Sequence, residues 1–387
     1  MSNLKRDCGY LRNGLYIEPT AMDGKAKPCC IIKTFGDGRY THNTIQEQLD
    51  AMLDPEYRYA NFKDTICYKC TQQEKITPAG PRLNSLQAVE GIEPGKIVFL
   101  QVSFSAFCNF KCLYCGPHSS TEWNKDIEEF QRRNIKFGFD EEHLKIQTTA
   151  EETFVREREI INELKRLDLL SLQQIGVFGG EPFMTRHLDE FLKLLINKGN
   201  PKNMTIQINT NASLFPKENI LESLKEFGNV DLRVSGESIG RLAEYIRNGL
   251  RWELYNENIK KWQEFSKINS NIEFRLHLAH NVYSINTIQE TEDWILKNNL
   301  KIYNHFVRGP HYTDVRKILS KDQINECIRR IEKLKTKEIK ESLITFLSND
   351  YYNQEALLDF KDFTQKLDLI RGTSLKDVNP ELYNWCF

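Results

Sequence analysis

From residue 97 onward, short apolar runs alternate with stretches whose apolar residues recur every three or four positions. The runs cover 97–104 (Ile-Val-Phe-Leu-Gln-Val-Ser-Phe), 175–178, 204–209, 230–235, 272–278 and, more weakly, 302–307. Helical periodicity fills the intervals at 151–170, 188–197, 217–227, 253–267 and 288–296; in the first of these Phe154, Ile160, Ile161 and Leu164 share one face. Strands alternating with helices predict an α/β fold with a parallel sheet and helices outside it. Residues 118–150 break the pattern with a polar stretch around Trp123, which reads as an excursion over one end of the sheet.

The flanks behave differently. Residues 1–92 are rich in turn formers (Gly14, Pro19, Gly24, Pro28, Gly36, Gly38), and Pro78, Gly80, Pro81, Gly91, Pro94 and Gly95 mark the passage into the alternating region. Residues 313–387 read as charged amphipathic helices: a lid, a substrate dock or packing against the core. The expected organisation is a small module at 1–92, a core at 93–312 and a helical extension at 313–387.

Within the core, polar residues keep strand parity. Gln101, Ser103 and Ser105 share one face, as do Gln207 and Asn209, then Asp231, Arg233 and Ser235, then Arg275 and His277. A parallel sheet usually buries both faces, so this alternation predicts a polar interior. An Asp231–Arg233 pair that is purely structural is an equal expectation.

Composition narrows the class. Across 387 residues, Lys+Arg number 53 and Asp+Glu 54, a net charge of -1. Such a chain has no global field for nucleic acid or an anionic membrane. The first residues lack the apolar core of a signal peptide, and no run is long enough to span a bilayer, so a cytoplasmic protein is expected. Eight of the 10 cysteines fall within residues 1–115, which favours thiols and metal ligands over disulfides.

Three of those cysteines form Cys108-x3-Cys112-x2-Cys115, directly after the first core strand and with Lys111 between them. Three thiolates on a cubane iron–sulfur cluster leave one of four irons open to a small molecule. Zinc is the alternative, with His118 completing the set. Cys8, Cys29, Cys67 and Cys70 supply four ligands in a module too poor in apolar residues to fold without a staple; they suit either a closed cluster or zinc. Cys30 is an alternative to Cys29. After the second core strand, Gly179-Gly180-Glu181-Pro182 offers a close backbone approach and a carboxylate able to hold an ammonium group.

The cysteine spacing, with Tyr114 in the aromatic slot before Cys115, resembles the signature of the radical S-adenosylmethionine (SAM) superfamily. The resemblance implies a partial (β/α)6 TIM-like barrel and a 4Fe-4S cluster whose open iron binds SAM. It also implies cleavage of SAM by one electron to a 5′-deoxyadenosyl radical. Gly179, Gly180, Glu181 and Pro182 would hold the SAM amino group, Asn209 and Asn211 would lie near the ribose, and Ser235 and Arg247 would hold the carboxylate. Glu237 departs from the aspartate of that pattern, and Ser238 from its glycine. Because Ser235 must face the lumen to reach SAM, Asp231 and Arg233 should face it too.

The spacing Cys8-x15-Gly24-x4-Cys29 followed by Cys67-x2-Cys70 resembles the SPASM and twitch auxiliary-cluster modules of the same superfamily. The shorter twitch form fits better, although here the module precedes the barrel. An auxiliary 4Fe-4S cluster at these cysteines would transfer electrons. The expected function is an oxidoreductase abstracting hydrogen from a polar, possibly peptide, substrate, with a flavodoxin- or ferredoxin-type electron donor. Arg233, Glu237 and His277 are candidates for catalytic roles. The alternatives are a radical SAM methyltransferase using a mobile Cys386, and a zinc-stapled binding protein without turnover. Cys327 reads as an inert buried thiol.

Overall fold

The computed structural model describes residues 6–17, 26–29, 42–57, 59–60, 67, 70, 74, 80–139, 144, 149–348 and 352–387. Its centre is an eight-stranded sheet. The strands are β1 (Gly14–Ile17), β2 (Ala26–Lys27), β3 (Phe99–Ser103), β4 (Gln174–Phe178), β5 (Thr205–Thr210), β6 (Asn229–Gly236), β7 (Ile272–His280) and β8 (Ile302–Phe306), in the order β8-β7-β6-β5-β4-β3-β1-β2. All neighbours are parallel except β1–β2. The six expected core strands are present and adjacent in chain order. Among the described residues β8 and β2 are the two edges, so the sheet is open.

Helices Ala150–Leu164, Leu188–Lys198, Glu218–Lys225, Trp252–Ile268 and Ile288–Lys297 occupy the expected intervals. Each turns its apolar stripe to the sheet; Phe191, Leu192 and Leu195, for example, are fully buried. The first of them starts where it does because of a capping box: the Thr149 hydroxyl accepts from Glu152 N at 3.2 Å, and the Glu152 carboxylate accepts from Thr149 N at 2.8 Å. The expected helix over 151–170 ends at Leu164, and a turn carries the chain on to β4.

The sheet runs across the expected boundary at residue 92. β1 pairs in parallel with β3, Gly14 opposite Phe99 and Ile17 opposite Val102. Strands β1 and β2 of the N-terminal region are therefore part of the core sheet. The C-terminal region holds helices Lys321–Ile331, Lys337–Leu347, Gln354–Arg371 and Pro380–Cys386. Of the three roles anticipated for it, packing is the one seen: Phe360 and Phe363 are fully buried, with Phe360 at 5.2 Å from Tyr283 and Phe363 at 4.3 Å from Tyr312. No helix among the described residues is long and apolar enough to cross a membrane.

Candidate active site

The loop carrying Cys108, Cys112 and Cys115 leaves the C-terminal end of β3, the end at which parallel α/β sheets place their ligands. It is held from two sides. Gly180 N donates to Ser105 O at 2.7 Å and Glu181 N to Phe107 O at 2.9 Å, which lays the glycine turn against the loop's entry. On the other side Lys111–Cys112 pairs antiparallel with Arg247–Asn248, Cys112 opposite Arg247.

Cys108 and Cys112 are buried and Cys115 is half-buried; all three line one cavity of about 870 Å³. Their sulfurs already meet donors: Phe110 N at 3.5 Å and Asn211 Nδ2 at 3.6 Å from Cys108, and Arg247 Nη1 at 3.9 Å from Cys112. Burial pushes the Cys108 thiol up to about 12. The Cys115 thiol donates to Cys112, which raises Cys115 and lowers Cys112. Metal loading must therefore displace protons from buried thiols. Among the described residues no three His, Cys, Asp or Glu side chains are grouped to hold one metal ion. Thiols that each bind a different iron of a cubane need no such single point. Three thiols on one cavity wall, two of them buried and supplied with N–H donors, fit a cluster with one open iron.

The cavity collects most of the residues expected to contact SAM. Tyr114, Gly179, Gly180, Asn209, Asn211, Ser235 and Arg247 all line it. Pro182 does not; it is buried at the start of a short 3-10 turn. Glu181 has partners other than a ligand. Its side chain is only 1% exposed and accepts from Asn211 N (2.7 Å), Thr210 Oγ1 (2.7 Å) and Phe183 N (3.1 Å), so it ties the end of β5 to the glycine turn. Burial raises its carboxyl to about 7 despite these three donors. Arg247 is engaged as well. Glu237 Oε2 accepts from its Nε at 3.0 Å and Nη2 at 2.7 Å, and from the Tyr114 hydroxyl at 3.1 Å. The acid whose role the sequence left open thus pairs with the arginine expected to bind the SAM carboxylate. Glu237 Oε1 is buried without a partner among the described residues.

The polar strand faces converge as their parity predicted. Asn209, Ser235 and His277 line the upper cavity; Gln101, Gln207, Asp231 and Arg233 line a second of about 350 Å³ toward the strands' N-terminal ends. Asp231 does pair with Arg233 (Nη2, 2.6 Å), and also with Arg275 (Nη2, 2.6 Å). The Arg233 guanidinium lies 4.0 Å over the Tyr303 ring. His277 stands at 5.2 Å from both Tyr303 and His305, with Nε2 buried and unpartnered among the described residues. Burial pushes it down to about 3, so its imidazole is neutral. Asn304 and His305 on β8 and Arg308 just beyond it, which sequence reasoning did not single out, complete the wall.

The second cysteine group also assembles. Cys29 and Cys67 pack against an apolar cluster formed by Cys8, Leu11 and Tyr57, and the charge of Cys70 is felt at Cys8. Burial pushes the Cys8 thiol up to about 11. Cys30 lies outside the described residues. Cys8 caps helix Gly9–Asn13, which leads straight into the start of β1. This group therefore lies at the N-terminal ends of the strands, opposite the Cys108 loop. Cys386, expected as a mobile thiol, is buried in helix Pro380–Cys386, and burial pushes its thiol up to about 12. Cys327 is buried, as expected.

Among known proteins, a GTP 3',8-cyclase of Aliarcobacter butzleri is 22% identical over 233 residues, 60% of this chain and 62% of that protein. The GTP 3',8-cyclase of Helicobacter pylori (strain ATCC 700392 / 26695) is 24% identical over 292 residues, 74% of this chain and 81% of that protein. Thus the chain spans less than two thirds of the Aliarcobacter relative. Similar solved structures include native anSMEcpe with bound AdoMet (TM-score 0.39, 16% identity, 72% of this chain and 68% of that chain). Streptococcus suis SuiB bound to precursor peptide SuiA is another (TM-score 0.36, 15% identity, 79% and 65%). The profile of the Radical SAM superfamily matches residues 102–295, half of the chain, from within β3 to helix Ile288–Lys297. The chain belongs to the Radical SAM superfamily and is an enzyme that works with a 4Fe-4S cluster and SAM.

Proposed function

We propose that this enzyme uses SAM bound at the Cys108 loop to abstract hydrogen from a polar substrate held in the lumen of the sheet. The carrying observation is the single cavity of about 870 Å³ that joins Cys108, Cys112 and Cys115 to Asn209, Ser235 and His277. When bound, the cluster and SAM supply a one-electron cleavage that yields the 5′-deoxyadenosyl radical. Cys108, Cys112 and Cys115 would hold the cluster. With the Glu181 carboxylate engaged by Asn211, Thr210 and Phe183, recognition of the SAM amino group falls to the backbone of Gly179 and Gly180. The Arg247 fork is filled by Glu237, so the SAM carboxylate is left to the Ser235 hydroxyl and the Nη1 edge of Arg247. Asn209 and Asn211 would serve the ribose.

On the substrate side, neutral His277 can accept a proton or hydrogen bond at Nε2, and Arg308 and His305 put positive and polar groups at the cavity wall. We assign Cys8, Cys29, Cys67 and Cys70 to an auxiliary 4Fe-4S cluster in a twitch-like arrangement spanning 1–92; it would supply one-electron transfer at the far end of the lumen. A flavodoxin- or ferredoxin-type protein would be the external donor. The burial of Cys386 removes the observation that favoured a methyl carrier on the C-terminal cysteine.

A peptide is the first reading of the substrate. A purine nucleotide is the second, favoured by the similarity to proteins named GTP 3',8-cyclase. The two separate by isotope transfer. Reconstituted enzyme is given SAM and dithionite with either deuterated GTP or a peptide fraction from cells of the source grown on deuterated amino acids. Deuterium in 5′-deoxyadenosine from the peptide fraction supports the first reading and from GTP the second; deuterium from neither rejects both.

A further inference from the structure

Lys111 is the only charged side chain between Cys108 and Cys115. Its Nζ lies 2.5 Å from Asp126 Oδ1, with the two side chains 17% and 5% exposed. The other Asp126 oxygen accepts from Arg371 Nε at 2.9 Å and Nη2 at 2.6 Å. Arg371 is the last residue of helix Gln354–Arg371, and its side chain is 3% exposed. Its guanidinium lies 4.7 Å from the Trp123 ring, and Trp123 Nε1 donates to Cys112 O at 3.2 Å. The chain thus brings a residue from its C-terminal helix, 245 positions from Asp126, to the back of the cysteine loop.

The charges in this network do not balance. Within the hydrogen-bonded network two cations, Lys111 and Arg371, share one anion, Asp126, a surplus of one positive charge; Asp368, whose charge is felt with that of Arg371 at Tyr245 and Tyr283, is bound instead to Thr373 and Leu375. Arg371 Nη1 is buried with no partner among the described residues. The neighbouring buried pair, Arg247 and Glu237, balances one to one. Holding a loop to a helix needs only one such pair, and burying a further cation is costly. What the surplus does offer is a fixed positive charge in a region of low dielectric. One-electron reduction makes a cluster more negative, so a fixed positive charge beside it favours the reduced state.

We propose that Arg371, acting through Asp126 and Lys111, is a positioning residue of the cluster site that raises the midpoint potential of the cluster held by Cys108, Cys112 and Cys115. The C-terminal extension is then part of the redox machinery and does more than pack against the core. This inference rests on the reading that the loop holds the cluster.

The test is an EPR-monitored potentiometric titration of the reconstituted full chain. It follows the part of the reduced-cluster signal that SAM addition alters, which belongs to the cluster that binds SAM. Arg371→Gln removes a positive charge and should lower the reduced-to-oxidised ratio at a fixed potential about tenfold, which is 59 mV for a one-electron couple. Asp126→Asn removes the negative charge and should shift the midpoint the opposite way. Arg371→Lys keeps the charge and should stay with the wild type. Should Arg371→Gln fail to fold by circular dichroism, Lys111→Gln removes a positive charge from the other end of the network and should give the same downward shift. A role confined to packing predicts no opposition of sign. Midpoints that do not move, or that move together in the charge-removing and Asp126→Asn variants, overturn the inference. Absence of any SAM-responsive signal in the wild type would instead overturn the assignment of the loop, and this inference with it.

Discussion

Glu237, the acid that departs from the motif, is bound to the arginine the motif assigns to SAM. Its carboxylate reaches Arg247 through both Nε and Nη2 and takes the Tyr114 hydroxyl on the same oxygen, with the Glu237 and Arg247 side chains 0% and 6% exposed. Motif spacing located each of these three residues, but it did not reveal that they bind one another. Partnership depends on side-chain reach across a turn, which spacing does not encode. His277 poses the same problem in reverse: its parity placed it in the lumen, and the structure adds that Nε2 has no partner among the described residues. Burial, then the nearby His305 and Arg233, push its imidazole from the usual 6.5 down to about 3. The unfolded chain takes up a proton below pH 6.5 that the folded protein refuses until about pH 3. Stability contributed through His277 is therefore constant above pH 6.5 and falls as pH drops through that window. Thermal unfolding of the wild type and of His277→Gln should show a difference that is flat above pH 6.5 and moves against the wild type below it. A difference independent of pH would show that the histidine is not buried neutral.

At the scale of elements, the cysteine loop is positioned by its neighbours more than by its own sequence. A Cβ on Gly180 would lie 2.2 Å from Phe107 O, so even the smallest side chain there must push the loop's backbone away. Gly180→Ala should cost on the order of 1–3 kcal/mol in denaturant unfolding, as overpacking against rigid backbone does, and should reduce iron retained after reconstitution. Wild-type stability with full iron content would show that the glycine turn does not brace the loop. The six core strands were legible because apolar runs bounded by helical periodicity leave few other interpretations. β1 was not: at 4 residues, opening with Gly14 in a turn-rich segment, it carries too little pattern to stand out, and only its pairing with β3 defines it. The excursion after the loop gave one hint in Trp123, an aromatic residue amid charges, which is fully buried and hydrogen-bonded to Cys112 O.

Across the whole molecule, the two cysteine groups lie at opposite ends of one sheet, parallel but for β2, with a polar lumen between them. The N-terminal region reaches that arrangement by adding β1 to the sheet, and the C-terminal region by sending Arg371 to Asp126. Neither connection was readable from sequence, because each joins residues far apart in the chain with no local signature. The Cys108 loop and the glycine turn were readable, since their chemistry is local and their spacing specific. The account stands on SAM being cleaved at Cys108, Cys112 and Cys115. The most direct measurement is 5′-deoxyadenosine released from SAM under dithionite by anaerobically reconstituted wild type and by the Cys108→Ala/Cys112→Ala/Cys115→Ala variant, with circular dichroism confirming that the variant is folded. The account predicts release by the wild type and none above background by the variant. Equal release by both would contradict it.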